Sequence, residues 1–389
     1  KGVPKSNCLT KEQRLSLQMD EFMNRRYEFR YNTQIGEVEY RERFSFQFYF
    51  HPIDKRAQNS IMLDAQSEGI GVWDRDIDRY LHSNRVPIYN PLEEFLFHLP
   101  HWDGKDRIHA LANRVPCKNP HWELLFHRWF LNMVSHWRGV DKMHANNTSP
   151  ILVGRQGTHK STFCREMIPP ALRAYYTDSI DFSHKRDAEL YLNRFALINI
   201  DEFDQITLPQ QGFLKHILQK PVVNLRKPHG RSVLELQRYA SFIGTSNQKD
   251  LLTDPSGSRR FICIEVTGNI DTTQPIDYEQ LYAQAMHEIH HGERYWFDSE
   301  DEQIMTENNR EFEQTPAMLQ LFYQYFKTAQ TKEEGEFLTP VEILNYLKKK
   351  SGMSLSDNKV YHFGRLLQKC GIPSKHTYKG TVYQVIKLS

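Results

Sequence analysis

Between Ser149 and Thr267, short apolar strands alternate with helical stretches, and no other feature limits the fold of this chain so sharply. "ILV" (151–153), "FALINI" (195–200), "YASFIGTSN" (239–247) and "RFICIEV" (260–266) read as strands, and "AYYT" (174–177) as a further short one. Strands separated by helices predict an open parallel α/β sheet, whose ligands lie at the carboxyl ends of the strands. Three of these strands run into polar residues suited to phosphate chemistry: the loop after Val153, the pair Asp201-Glu202, and Asn247.

The loop "GRQGTHKST" nearly matches the phosphate-binding pattern G-x-x-x-x-G-K-[ST]. Gly154, Gly157, Thr158, His159, Lys160, Ser161 and Thr162 form the expected ATP-binding set. In such a loop backbone N–H groups and the following helix start cradle the phosphates. The lysine reaches the β- and γ-phosphates, and the hydroxyl of Ser161 joins the Mg²⁺ shell. His159 stands where the pattern has glycine. It is compatible with the loop if its φ is negative and its ring points outward, because the phosphate contact there runs through the main chain. The alternative is a plain glycine turn between a strand and a helix.

Some forty residues after Lys160, an apolar strand ends in Asp201-Glu202. Asp201 is expected to hold Mg²⁺, and Glu202 to orient or deprotonate the attacking water. Asn247, at the tip of the next strand, is suited to contact the γ-phosphate or the water. Arg259 and Arg260 precede the last strand, where an arginine finger from a neighbouring subunit, or a sensor in cis, would stabilise transition-state charge. A surface salt bridge is the competing reading for that pair. "VVNLRKPHGRSVLEL" (222–236) predicts a hairpin with Arg226, Lys227, His229 and Arg231 near its tip, cations that grip a nucleic-acid backbone without reading its sequence. A solvated basic turn is the plainer alternative.

Outside this stretch, "YEFRYNTQIGEVEYRERF" predicts a hairpin around Gly36, and 121–138 a helix with an aromatic core stripe that stops at Gly139. Another helix spans 277–291, where His287, His290 and His291 suit the last-turn dipole better than a metal. Charge shifts along the chain: 298–313 holds seven acids and one arginine, whereas 339–389 holds nine Lys/Arg and two acids. That asymmetry marks a boundary and points the basic end toward nucleic acid. Two helices and a hairpin turning at Lys379-Gly380 make that end resemble a winged-helix module. The five scattered cysteines form no C-x-x-C, which fits a reducing compartment. No apolar run reaches membrane-spanning length and the start is no signal peptide, so a cytoplasmic protein without a membrane partner is expected.

Taken in order, "LPHWDGKDRIHALANRV", "GRQGTHKSTF", "NIDEFD", "LRKPHGRSV", "FIGTSN" and "GSRRF" resemble the virulence-associated protein E family of phage, plasmid and genomic-island ATPases. These are related to superfamily 3 helicases in the AAA+ class. The resemblance covers most of the chain, and the tail from about Glu313 resembles an extension seen in Bacteroides-type members. His159 is the departure, since most relatives have glycine there. The resemblance implies an AAA+-like P-loop core that forms a ring, usually a hexamer, and moves on single-stranded DNA. It also implies ATP and Mg²⁺ as ligands and a primase in preceding sequence or in another protein.

The expected architecture is α/β in four parts. A mostly helical region spans 1–145, an ATPase core with a helical extension 146–297, an acidic linker and helix 298–338, and a basic winged-helix-like module 339–389. The expected function is an ATP-dependent DNA helicase or translocase of a mobile element or phage, with duplex DNA as a second target of the basic module. The competing readings are an ATP-gated DNA-binding switch that does not unwind, and a nucleotide-binding scaffold that never meets DNA.

Overall fold

The computed structural model describes residues 9–46, 48–139, 141, 143–225, 234–252, 255–314, 317–329, 335–352, 360–378 and 380–388. The chain divides into two compact units, Lys1–Phe312 and Glu313–Ser389.

The first unit begins with a small α/β module. Helix α1 (Lys11–Arg26), started by a Thr10–Gln13 capping box, is followed by β1 (Tyr27–Asn32), β2 (Glu37–Glu42) and β3 (His51–Pro52). Helices α2 (Lys55–Ser67) and α3 (Asp74–Leu81) precede β4 (Ile88–Tyr89). The four strands form one sheet in the order β3-β2-β1-β4 over a core that includes Phe22, Tyr27, Ile61 and Tyr80. The expected hairpin around Gly36 is its centre, with Tyr27 opposite Glu42. The region expected to be mostly helical thus carries a four-stranded sheet among its helices. Apolar and charged residues alternate along β1 and β2: Tyr27, Phe29, Tyr31, Val38 and Tyr40 join the core, while Arg30 pairs with Glu39 across the sheet at 2.6 Å.

Helices α4 (Pro91–Phe97), α5 (Arg107–Ala112) and α6 (Trp122–Trp137) lead into the main sheet. The turn at His101–Gly104 is closed by the Trp102 indole, which donates to the Lys105 carbonyl at 2.9 Å. On α6, Trp122, Phe126, Trp129, Phe130 and Trp137 are fully buried, as their spacing predicts.

The main sheet and its connections run β5 (Ser149–Val153), α7 (Lys160–Glu166), β6 (Tyr176–Thr177), α8 (Lys185–Arg194), β7 (Leu197–Ile200), α9 (Leu208–Leu218), a separate two-stranded hairpin of β8 (Val222–Leu225) and β9 (Leu234–Gln237), then β10 (Ser241–Ser246) and β11 (Phe261–Glu265). Five strands lie in the order β11-β5-β10-β7-β6, and every pair is parallel. Alternate residues serve opposite faces: Leu152, Leu197 and Ile243 meet α6 and α7, while Ile151, Ile198 and Phe242 meet α8 and α9. Both faces are covered, which is why these strands read as continuous apolar runs. "AYYT" is strand only at Tyr176–Thr177, because Pro170–Tyr175 winds as a 3₁₀ turn.

After β11 come α10 (Tyr278–His290) and α11 (Ser299–Asn308). The acidic stretch is thus part of the first unit rather than a linker. Asp298 caps α11, and the buried Asp301 pairs with Arg128 and with Arg294, the latter at 3.0 Å. Asp298 and Asp301 serve capping and buried pairing, work that composition cannot distinguish from solvation.

The second unit comprises α12 (Ala317–Tyr325), β12 (Phe326–Thr328), β13 (Glu336–Leu338), α13 (Pro340–Ser351), α14 (Val360–Lys369), β14 (Ser374–Thr377) and β15 (Gly380–Lys387). Strand β15 pairs antiparallel with β12, β13 and β14, and the β14–β15 hairpin sets Thr377 opposite Gly380. Phe322, Leu344, Leu347, Phe363 and Val385 fill its core.

Candidate nucleotide-binding site

At the carboxyl edge of the parallel sheet lies a cleft of ≈ 310 Å³. Its lining runs from Gln156 to Thr162 and includes Asp201, Glu202, Thr245 and Asn247. Strand β10 stands between β5 and β7. The loop after β5, the acid pair after β7 and the asparagine after β10 therefore emerge side by side, as expected for ligand sites at strand ends.

Lys160 opens α7 and is buried at 6% exposure. Its ammonium donates to the carbonyls of Gly154 and Arg155, each at 2.8 Å, and to Asn247 Oδ1 at 3.3 Å. Burial pushes its pKa down, and the nearby Asp201 carboxylate pulls it back. Ser161 Oγ donates to Asp201 Oδ1 at 3.0 Å, and Thr245 Oγ1 donates to the same oxygen. Thr158 Oγ1 folds back onto the Arg155 carbonyl at 2.9 Å, while its own carbonyl takes the Ile270 N–H at 3.1 Å. The loop is thus closed by its own polar groups.

Gly154 is required by close approach, since a Cβ there would come 3.0 Å from the Val266 carbonyl oxygen. Gly157 holds φ +84°. His159 does not keep the negative φ that the sequence reading required: at φ +64° it takes the left-handed conformation that glycine would adopt. The turn from β5 into α7 imposes that geometry, and the histidine bends to it. Glu202 is also left-handed, at φ +52°.

Other expected residues fall outside the cleft. Arg259 is half-exposed and pairs with Glu302 at 3.0 Å, and neither Arg259 nor Arg260 lines the cavity. Strands β8 and β9 form the two arms of the expected hairpin, in register from Val222 opposite Gln237 to Leu225 opposite Leu234. Arg226, Lys227, His229 and Arg231 lie outside the described residues.

Sequence reasoning missed Thr245 and Asp204. Asp204 Oδ1 accepts from Ser246 Oγ at 2.8 Å and from the Asn247 N–H at 3.4 Å. Asp204 carried a signal, being the last acid of "NIDEFD", whereas a strand threonine such as Thr245 carries none.

Fold and cleft together define a parallel α/β protein with a lysine, a hydroxyl and two carboxylates converging at the sheet edge. The chain belongs to the virulence-associated protein E-like domain family, whose sequence model matches residues 96–314, more than half of its length. A second match, to a domain of unknown function described from a B. theta gene, covers residues 315–385. The boundary between the two matches lies two residues beyond the division of the chain after Phe312. No curated protein matches. Among solved structures the chain is similar to the apo structure of the NrS-1 C-terminal region (305–718), with 12% identity and a TM-score of 0.47, over 98% of this chain and 100% of that one. It is also similar to the A-form apo structure of that region, with 12% identity and a TM-score of 0.45, over 95% and 99%. Among the described residues no helix is long and apolar enough to cross a membrane.

Proposed function

We propose that the chain is a Mg²⁺-dependent ATPase that moves on single-stranded DNA, built on a P-loop core of the AAA+ kind. The observation that carries this reading is the convergence of Lys160, Ser161, Asp201, Glu202 and Asn247 in one cleft. The donor set fits magnesium with a nucleotide. Mg²⁺ is usually held through one or two carboxylates together with substrate phosphates, and Asp201 hydrogen-bonded to Ser161 supplies such a pair. Bound there, the ion would neutralise phosphate charge.

Lys160 would exchange its bonds to the Gly154 and Arg155 carbonyls for phosphate oxygens. Gly157, Thr158, His159 and Thr162 contribute loop backbone and side chains around it. Glu202 would take the proton of the attacking water, and Asn247, already bonded to Lys160, would hold that water or the γ-phosphate. Arg259 stands outside its own chain's cleft, which suits a role toward the next subunit of a ring, with a hexamer as the expected size. The cations 226–231 on the hairpin would contact the DNA strand. The basic second unit would serve as a winged-helix-like contact to duplex DNA, since α13, α14 and the β14–β15 hairpin follow that order. Replication of a phage or mobile element in the cytoplasm, with a primase as partner, is the setting proposed.

A second reading, an ATP-gated DNA-binding switch, is favoured by the self-closed loop and the left-handed His159. Strand displacement from a forked duplex separates the two. ATP-dependent displacement supports the motor; ATP-enhanced DNA binding without displacement supports the switch.

A further inference from the structure

Glu202, the proposed base, sits between two carboxylates that hold the same neighbouring strand. Asp201 accepts from Thr245 and Asp204 from Ser246, consecutive residues of β10. Consecutive strand residues face opposite sides of a sheet, so the two carboxylates hold the end of β10 from both faces. Asp204 lies in the 3₁₀ turn Phe203–Gln205 that follows the left-handed Glu202 directly. The same oxygen that meets Ser246 also receives the Asn247 N–H. Ser246 Oγ in turn lies 2.8 Å from the Gln248 carbonyl and accepts from the Gln248 N–H at 3.1 Å, which fixes the turn carrying Asn247.

We propose that Asp204 is a positioning residue: its carboxylate locks the turn carrying Glu202 to the strand tip carrying Asn247. This rests on the ATPase reading of the cleft. Without Asp204 the turn keeps the Asp201 grip, the buried Phe203 and the Gln205 N–H bond to the Glu202 carbonyl at 2.8 Å, but Ser246 Oγ and the Asn247 N–H lose the acceptor that ties the strand tip to the turn. With both grips, the base and the asparagine keep one spacing. What Asp204 contributes is hydrogen-bond acceptance at a fixed point, and an amide oxygen supplies that as well as a carboxylate does.

The test compares Asp204→Ala and Asp204→Asn with wild type in steady-state ATP turnover and in amide hydrogen exchange at Asn247. The expected result for Asp204→Ala is a kcat lower by about tenfold or more, from misplacement of a reacting group, with KM for ATP little changed and faster exchange at Asn247. Asp204→Asn is expected to restore both. Equal impairment of the two variants, or wild-type turnover and exchange in Asp204→Ala, overturns the proposal. If wild type itself turns over no ATP, the ATPase reading fails. Exchange at Asn247 then still decides whether Asp204 holds the strand tip, and unchanged exchange in Asp204→Ala overturns that too.

Discussion

His159 and Glu202 line the same cleft, and among the described residues they are the non-glycine positions with positive φ, at +64° and +52°. Each such conformation costs an L-residue roughly 1–2 kcal/mol. Strain of this kind persists where surrounding structure imposes it and gathers at functional sites. Here it falls on the loop leaving β5 and on the turn leaving β7, the two segments that carry Lys160 and Asp201.

His159→Gly removes the strain, whereas His159→Ala keeps it. The glycine variant is expected to be the more stable of the two by about 1 kcal/mol, the αL cost less the added chain entropy of glycine. Urea unfolding midpoints measure the difference, and equal midpoints would mean that the loop relaxes freely.

Arg238 is fully buried at the foot of the β8–β9 hairpin, and its guanidinium donates to main-chain carbonyls. It donates to Leu218 and Lys220 at 2.7 Å, to Ala240 at 2.9 Å and to Asn146 at 3.0 Å. Arg238→Met keeps the volume but strands those carbonyls. A loss of about 3 kcal/mol or more in unfolding free energy is expected from unpaired buried acceptors, and an unchanged urea midpoint would contradict it.

His136 is buried, and its Nε2 accepts the Asn146 N–H at 2.7 Å, so the neutral ring carries its proton on Nδ1. Burial, reinforced by the Arg238 charge, lowers its pKa to about 3. The unfolded chain, with an ordinary histidine, binds the proton first as pH falls below about 6.5. Stability from this group is therefore complete above that pH and is lost on acidification toward pH 3. Between pH 7 and 5 the loss should approach about 2 kcal/mol. Urea melts at the two pH values check it, and His136→Gln should flatten the dependence.

Lys227→Ala with Arg231→Ala should weaken binding to oligo-dT and lower the salt slope of log K by about one for each cation removed from a phosphate. Basal ATP turnover should stay as in wild type. Unchanged DNA affinity would remove the hairpin from the DNA surface.

The main sheet and its polar strand ends were legible because β5, β7, β10 and β11 are buried on both faces and so stand out as apolar runs. Helix α6 was equally plain from its aromatic spacing. In the N-terminal sheet the β1–β2 hairpin was legible from its alternation, whereas β3 and β4, two residues each, carry no pattern that shows the rest of the sheet. The acidic stretch misled because Asp301 and Asp298 are used inside the fold, against Arg128 and Arg294. His159 was recognised as the departure from pattern, but its backbone sign is decided by the tight turn into α7, which composition does not report. Asp204 and Thr245 act through strand ends that meet only in three dimensions.

The most direct measurement is steady-state ATP hydrolysis, with and without single-stranded DNA, by wild type, Lys160→Ala and Glu202→Gln, with ATP binding measured alongside. The account predicts DNA-stimulated turnover in wild type, loss of binding and turnover in Lys160→Ala, and retained binding without turnover in Glu202→Gln. Turnover at background in wild type, or turnover that survives Glu202→Gln, would contradict the assignment of this cleft.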